Sequence, residues 1–126
     1  MPFDWSQFAG IADELVKAVT TSLPLSQTDQ ARLRSAVGRY YYAAHCTARN
    51  RLIREGTPFH RNARDHRDVW NALTQSRGNT RRQQAGSRLK TLFFARCQAD
   101  YDDDIDNLVR LTLDSRSSAK FILERL

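Results

Sequence analysis

The longest helical pattern in this chain reads LRSAVGRYYYAAHCTARN over residues 33–50. Within this segment and just beyond it, apolar residues recur every three or four positions, as an α-helix with one buried face requires. These residues are Leu33, Val37, Tyr41, Ala44, Ala48 and Leu52. Ser26 or Thr28 is suited to cap the start of the helix, and Gly56 with Pro58 is suited to end it. The pattern predicts one long helix at the centre of the sequence.

Helical periodicity also occurs on both sides of this segment. A first helix closes before Pro24, a short third helix fits Asp65 to Gln75, and a fourth fits residues 82–99. The final helix has acids suited to its first turn at Asp102 to Asp104, unless the fourth helix simply continues into it. The apolar positions expected to pack are Phe8, Ile11, Leu15 and Val19 in the first helix, Val69, Trp70 and Leu73 in the third, Ala85, Leu89, Leu92 and Phe93 in the fourth with Phe94 left open, and Ile105, Leu108, Leu111, Ala119, Ile122 and Leu126 in the last.

No strand pattern, repeat or linker interrupts these helices. We therefore predict an all-α fold, an up-and-down bundle of four to five helices in which residues 1–126 form a single domain. No apolar run approaches the roughly 20 residues that a membrane span needs. The N-terminal residues also lack the basic and apolar regions of a secretion signal. We expect a cytoplasmic protein without a membrane partner.

The positive charge of the chain is unevenly distributed. The whole sequence has a net charge of +6, yet residues 49–90 contain eleven Arg or Lys and three acids, a net charge of +8. Nearly all of these cations are Arg, which pairs with phosphate in a bidentate manner that Lys cannot match. One interpretation is a surface for nucleic acid or another polyanion, with Arg61, Arg64 and Arg67 as candidate contacts. The other is a solvated face without a ligand.

Three consecutive tyrosines occupy the central helix. Tyr41 belongs to its apolar face, so at least one of Tyr40 and Tyr42 must face a groove or a partner. A buried tyrosine hydroxyl needs a hydrogen-bond partner, and Asp100 or Arg96 on the fourth helix is suited to supply one. We therefore predict a structural polar network that includes Tyr41 and Asp100.

Arg61 precedes His66 by five positions in the polar segment before the third helix. An Arg and a His at this spacing can act together on RNA without a metal ion, because imidazole can deprotonate a ribose 2′-hydroxyl while a guanidinium stabilises the phosphorane. The same residues also fit a solvent-facing loop with His66 near a helix start. No phosphate-binding glycine loop or zinc spacing is present. A divalent-metal role for residues 100–106 is the weaker interpretation of those acids, so we expect neither a cofactor nor a metal.

Several of these segments together resemble the prokaryotic HEPN domain, in the subgroup that contains an Ala-Asp-Tyr element. The resemblance rests on Phe3-Asp-Trp5, residues 33–50, His66-Arg-Asp-Val-Trp70 and Arg96-Cys-Gln-Ala-Asp-Tyr-Asp-Asp103, and it covers essentially the whole chain. It implies a helical bundle that usually forms a homodimer. Many family members are metal-independent ribonucleases of toxin or defence systems, whose Arg-x(4–6)-His motif lies in the dimer cleft. Other members bind RNA, nucleotides or partner proteins without catalysis, and some pair with a nucleotidyltransferase-like antitoxin.

The sequence departs from the family motif at one position. Arg96 is present, but the residue five positions later is Tyr101, whose ordinary pKa near 10 makes it a poor general base at neutral pH. The resemblance therefore implies a variant site with Arg96, Tyr101 and His66 as catalytic candidates and with Arg39, Tyr42 and His45 as further RNA or nucleotide contacts. Two hypotheses stay open, an RNA- or nucleotide-engaging protein and a non-catalytic dimeric interaction module.

Overall fold

The computed structural model describes residues 2–19 and 23–126, and within these residues it contains helices and no strand. The helices are α1 (Gln7–Lys17), α2 (Gln27–Arg54), α3 (Arg64–Thr74), α4 (Thr80–Tyr101) and α5 (Leu108–Arg125). This architecture confirms the prediction of an all-helical bundle. None of the helices in the described part of the chain is both long enough and apolar enough to cross a membrane.

The long helix α2 contacts each of the other four helices. Ser26 caps its start, because the Ser26 hydroxyl accepts a hydrogen bond from the backbone N–H of Asp29 at 3.0 Å. All six residues predicted for its apolar face are buried. Gly56 follows the helix in a backbone conformation with φ of 100°, which glycine adopts without strain.

An acidic side chain of α1 connects α1, α2 and α5. Tyr40 of α2 donates a hydrogen bond from its hydroxyl to Asp13 Oδ1 at 2.5 Å. Asp13 also pairs with Arg116 at 3.2 Å and with Lys120 at 3.5 Å, both on α5. These contacts and the hydrogen bond from Tyr40 keep the pKa of Asp13 below its ordinary value even though burial opposes this. The Tyr40 hydroxyl therefore faces α1, and Tyr40 takes part in the packing of α1 and α5 against α2.

Helices α3 and α4 approach each other closely at Gly86. A Cβ atom at this position would lie 2.6 Å from Thr74 Cγ2 and 2.8 Å from the carbonyl oxygen of Trp70. Real Cβ atoms do not approach other atoms this closely, so only glycine fits between the two backbones. The close approach positions α3 against the face of α4 that carries Phe93.

The prediction for the start of the last helix was wrong. Residues 102–107 form a connection, and α5 begins at Leu108, with the Asn107 side chain accepting from the backbone N–H of Arg110 at 3.0 Å. The guanidinium of Arg34 donates to the carbonyl oxygens of Ala99, Asp102 and Asp103. These bonds stabilise the end of α4 and the following loop, so Asp102 to Asp104 are not in the first turn of a helix.

Smaller differences concern the helix ends and two side chains. Ile11, which was expected to pack, is 47% exposed. Helix α1 ends at Lys17, so Val19 lies beyond it. Helix α4 extends two residues further at each end than predicted. Phe93 is half-buried, as expected. The sequence left undecided whether Phe94 packs in the core, and its side chain is 57% exposed.

Candidate functional site

A cluster of aromatic and basic side chains forms where α2, α3 and α4 meet. Tyr41, Tyr42 and His45 share one side of α2, because residues three and four positions apart are neighbours on a helix. His66 of α3 contacts all three of these rings, and its ring centroid lies 4.8 Å from that of His45. Phe93 of α4 lies 5.3 Å from His66. Residues 45 and 66, distant in sequence, are therefore adjacent in the fold.

The hydroxyl of Tyr41 and Nδ1 of His66 are joined by a hydrogen bond of 2.5 Å. Tyr41 is fully buried, and its hydroxyl has no other hydrogen-bond partner among the described residues. If Nδ1 carried the proton, the phenol proton would be buried without an acceptor, which is more costly than an unused lone pair. We infer that Tyr41 donates to Nδ1 and that the proton of His66 resides on Nε2. Burial, and to a smaller extent the charge of Arg96, lowers the pKa of His66, so this imidazole is neutral at pH 7.

His45 lies behind His66 and is almost completely buried, with 4% of its surface exposed. Its ring stacks on Tyr41 at an interplanar angle of 17°. Burial, followed by the proximity of His66 and Arg49, lowers the pKa of His45 to about 3. Its Nδ1 atom is buried and has no hydrogen-bond partner within the described part of the chain. Such an unpaired buried polar atom is uncommon in folded proteins and often marks a site that is completed by a ligand or by water.

Arg96 of α4 borders the same cluster. Its guanidinium carbon lies 5.4 Å from the ring centroid of Tyr41 and 5.7 Å from that of Tyr42. It also lies 5.2 Å from the ring of Phe93, and Nη1 pairs with Asp100 Oδ2 at 3.0 Å. Only 11% of the Arg96 side chain is exposed. Arg96 therefore places a positive charge next to the two histidines while being largely covered by aromatic rings.

The cluster opens into a cavity of about 540 Å³ between α2, the start of α3 and the loop that joins them. Its lining combines aromatic and imidazole rings, two arginines and two asparagines. The lining residues are Tyr42, His45, Cys46, Arg49, Asn50, Ile53, Phe59, Arg61, Asn62, Asp65 and His66. We call this cavity the α2–α3 pocket.

Asp65 fixes the loop that borders the α2–α3 pocket. This buried carboxylate accepts hydrogen bonds from the backbone N–H groups of His60 at 2.9 Å and of Arg61 at 2.8 Å. Arg61 has a φ of 55°, in the left-handed region that residues other than glycine seldom adopt. Strained backbone of this kind persists where its surroundings hold it, and it is frequent at binding sites. The loop is thus held in one conformation with the Arg61 side chain exposed.

The structure separates the predicted site residues into two groups. Tyr42, His45, Arg61 and His66 line the α2–α3 pocket, and Arg96 is adjacent through Tyr42. The predicted hydrogen bond between Tyr41 and Asp100 or Arg96 is wrong, because the Tyr41 hydroxyl bonds to His66 and Asp100 pairs with Arg96. Among the described residues, the Arg96 guanidinium connects Tyr41 to Asp100.

The remaining candidates lie outside the pocket lining. Arg39 places its guanidinium 4.8 Å from the ring centroid of Phe8 on α1. Tyr101, a catalytic candidate from the sequence, is 75% exposed at the end of α4 and is not in the lining of the α2–α3 pocket. Arg64 and Arg67 are exposed on α3. They are close in sequence to lining residues of the α2–α3 pocket but do not belong to the lining themselves.

Several residues of this region were not anticipated as a site from the sequence, among them Arg49, Phe59, Asp65 and Phe93. Arg49 belonged to the count of basic residues and Phe93 to the predicted core, so neither carried a signal of its own. Asp65, immediately before His66 at a helix start, resembles an ordinary first-turn acid, and only the folded loop reveals its bonds to residues 60 and 61.

Comparison of this chain with known proteins finds no matching family model, no similar curated protein and no similar solved structure. The resemblance to the HEPN family therefore stays a prediction.

Proposed function

We propose that this protein is a HEPN-like protein that engages RNA through the α2–α3 pocket and the cluster behind it. The observation that carries the proposal is the convergence of His66, His45 and Arg96 from three helices beside an arginine-lined cavity. Residues with ring faces and guanidinium groups are the usual means by which proteins hold unpaired bases and phosphates.

The charge of the surroundings supports the same proposal. Arg49 and Arg61 line the pocket, and Arg64 and Arg67 follow on the first turn of α3. Asp65 is the one acid in the lining, and its two oxygens already accept backbone hydrogen bonds. The pocket therefore presents positive charge to a ligand, as phosphate recognition requires.

Metal-independent RNA cleavage is a second candidate function, favoured by the proximity of Arg96 and His66. In that reaction His66 would take the proton of a ribose 2′-hydroxyl, and the 2′-oxygen would bond to the adjacent phosphorus. The P–O5′ bond would break, the 5′-oxygen would leave with a proton from solvent, and Arg96 would stabilise the charge of the phosphorane. His66 would first need an unprotonated nitrogen that faces the substrate. The Tyr41 hydroxyl would have to accept from Nδ1–H instead of donating to it. Because of this requirement, we rank RNA binding above RNA cleavage as the proposed function.

A binding assay tests the proposal directly. We expect labelled single-stranded RNA to bind in EDTA, measured by fluorescence anisotropy, and we expect Arg49→Ala and Arg61→Ala each to weaken binding at least about fivefold. Arg110→Ala is the matched control, because Arg110 is an exposed arginine of α5 that pairs with Asp114. Equal losses in all three variants would indicate general charge rather than this site, and absence of RNA binding by the folded protein would contradict the proposal.

The same RNA, incubated and analysed on a denaturing gel, decides between binding and cleavage. Cleavage in EDTA that disappears in both Arg96→Ala and His66→Ala would establish the second candidate. Intact RNA with binding retained would leave the binding function alone.

A non-catalytic dimeric module, such as a partner of a nucleotidyltransferase-like protein, is the alternative. Phe94 and Tyr101 favour a dimer, because they lie seven residues apart on the same side of α4 and are 57% and 75% exposed. Sedimentation at several concentrations tests this, and a monomer at all concentrations would contradict it. A Phe94→Ser variant would locate the interface if it lowers the dimer fraction.

A further inference from the structure

The α2–α3 pocket offers a ligand mainly hydrogen-bond donors. The inferred tautomer of His66 presents Nε2–H, and the guanidinium of Arg61 forms no ion pair within the described residues. The side-chain oxygen Oδ1 of Asn50 already accepts a hydrogen bond from Arg49 Nε at 3.1 Å. Oδ1 of Asn62 accepts one from the backbone N–H of Arg64 at 2.9 Å. The amide NH₂ group of each asparagine is then available. A pocket with these groups selects a ligand rich in acceptors.

The size and the apolar part of the lining narrow the ligand further. A volume of about 540 Å³ is within the range of small-ligand pockets, roughly 300–1,000 Å³. Tyr42 and Phe59 contribute aromatic rings, and His66 contributes a neutral imidazole. Planar, acceptor-bearing groups such as nucleobases pack well on such rings. The volume suits one nucleotide better than a run of them.

Two arginines in one small cavity favour an anion with more than one charge. A phosphate monoester carries about −1.5 to −2 at neutral pH, whereas the diester inside an RNA chain carries one negative charge. Each guanidinium can bond two phosphate oxygens, so two of them use the three terminal oxygens of a monoester more completely than the two of a diester. Asp65 contributes one negative charge, so the two arginines leave the lining with a net positive charge, and both Asp65 oxygens are already engaged by the loop backbone.

We propose that the α2–α3 pocket binds a single nucleotide that carries a terminal phosphate, with the base against Tyr42 and Phe59 and the phosphate between Arg49 and Arg61. This inference rests on the proposed RNA function and specifies which part of the RNA occupies the pocket. Its ligand chemistry has two sources, a free nucleoside monophosphate and the phosphorylated end of an RNA strand. The buried, unpaired Nδ1 of His45 and the strained loop at Arg61 support a site built for occupancy.

The test compares four probes by titration calorimetry. They are adenosine 5′-monophosphate, inorganic phosphate, and one single-stranded RNA with either a 5′-phosphate or a 5′-hydroxyl. We expect the phosphorylated RNA to bind at least about tenfold more tightly than the hydroxyl form, and the monophosphate to compete with it. Binding of the monophosphate without that RNA preference would assign the pocket to free nucleotides.

Variants link the result to the pocket. Arg61→Ala is exposed and outside the core, so we expect it to fold and to abolish most of the preference for the 5′-phosphate, whereas Arg110→Ala should retain it. Inorganic phosphate that binds as tightly as adenosine 5′-monophosphate would show that the base does not contribute to binding. RNA binding that is equal with and without the 5′-phosphate, together with no binding of the monophosphate, would overturn the inference and leave the proposed function standing. Failure of every RNA and nucleotide probe would overturn both.

Discussion

The hydrogen bond between Tyr41 and His66 determines which nitrogen of His66 is a hydrogen-bond donor. A neutral imidazole has one donor and one acceptor nitrogen, and the partner of one nitrogen sets the role of the other. Because Tyr41 occupies Nδ1, the half-buried Nε2 side of His66 is a donor that can contact a phosphate or a base. The Arg-x(4–6)-His pattern implied a base, whereas this geometry favours a binding residue.

The tautomer of His66 can be measured without any ligand. We expect ¹⁵N-NMR of histidine-labelled protein at pH 7.5 to show Nδ1 unprotonated and Nε2 protonated. Tyr41→Phe removes the donor that stabilises the neutral ring, so the pKa of His66 should rise toward its ordinary value near 6.5. His60, an exposed histidine, serves as the internal reference. A proton on Nδ1 of the unmodified protein would contradict the assignment.

His45 should make the protein less stable in mild acid. Its pKa is about 3 in the folded protein and near 6.5 in the unfolded chain, so the unfolded chain binds more protons between these values. The free energy of unfolding should therefore decrease as the pH falls below about 6.5, by at most about 1.4 kcal/mol per pH unit from this group. Urea denaturation at pH 7.5, 6.5 and 5.5 measures the slope.

The matched variants for this measurement are His45→Phe and His60→Gln. We expect the first to flatten the pH dependence, leaving the part that arises from His66, whose pKa is also lowered. The second should keep the slope of the unmodified protein, because His60 is exposed. An unchanged slope in His45→Phe would show that the burial of this imidazole has no such consequence.

At the scale of helices, α2 was predictable and the beginning of α5 was not. The apolar face of α2 repeats through the whole element, and Ser26 and Gly56 are local signals, so adjacent residues contain the information. The start of α5 depends on Arg34, which bonds to carbonyl groups 65 to 69 positions later in the sequence. An acidic run before an apolar pattern indicates a helix start, and no local signal reveals that a distant arginine shapes the preceding loop.

Alanine substitutions at two glycines should change the free energy of unfolding in opposite directions. Gly86→Ala would place a methyl group against Thr74 and the Trp70 carbonyl, so we expect a loss of about 1–3 kcal/mol in the free energy of unfolding. Gly38 lies within α2, and a Cβ there meets no atom within 4 Å. Gly38→Ala should therefore gain about 0.5–1 kcal/mol. Urea denaturation of both variants provides the comparison, and a neutral Gly86→Ala would show that α3 can shift away from α4.

At the scale of the whole molecule, the basic segment predicted from the sequence contributes two of its arginines, Arg49 and Arg61, to the lining of the α2–α3 pocket. The segment with a net charge of +8 comprises the end of α2, the pocket loop, α3 and the first half of α4, and Arg81 and Arg88 of α4 contact α5 instead. The sequence could predict the charge of the segment because charge is additive along the chain. It could not predict the pocket itself, since His45 and His66 become neighbours only when α3 packs on α2.

The charge makes a quantitative prediction for RNA binding. The logarithm of the affinity should fall linearly with the logarithm of the salt concentration, and each phosphate contact contributes a slope of about 0.7 for a single strand. We expect Arg61→Ala to reduce the magnitude of the slope by about that amount and Arg110→Ala to leave it nearly unchanged. Anisotropy titrations at several KCl concentrations measure it. Equal slopes in the Arg61→Ala and unmodified proteins would remove Arg61 from the set of phosphate contacts.

The contacts of α2 with all four other helices have a consequence for hydrogen–deuterium exchange. The backbone amides around Ala43 and Ala44 lie in a segment with no exposed side, so no single neighbouring helix can uncover them by fraying. Their exchange should occur only through global unfolding, whereas amides at the exposed end of α4 near Tyr101 should exchange through small local openings. The slowest-exchanging amides of α2 would then report the free energy of unfolding of the intact protein in the absence of denaturant.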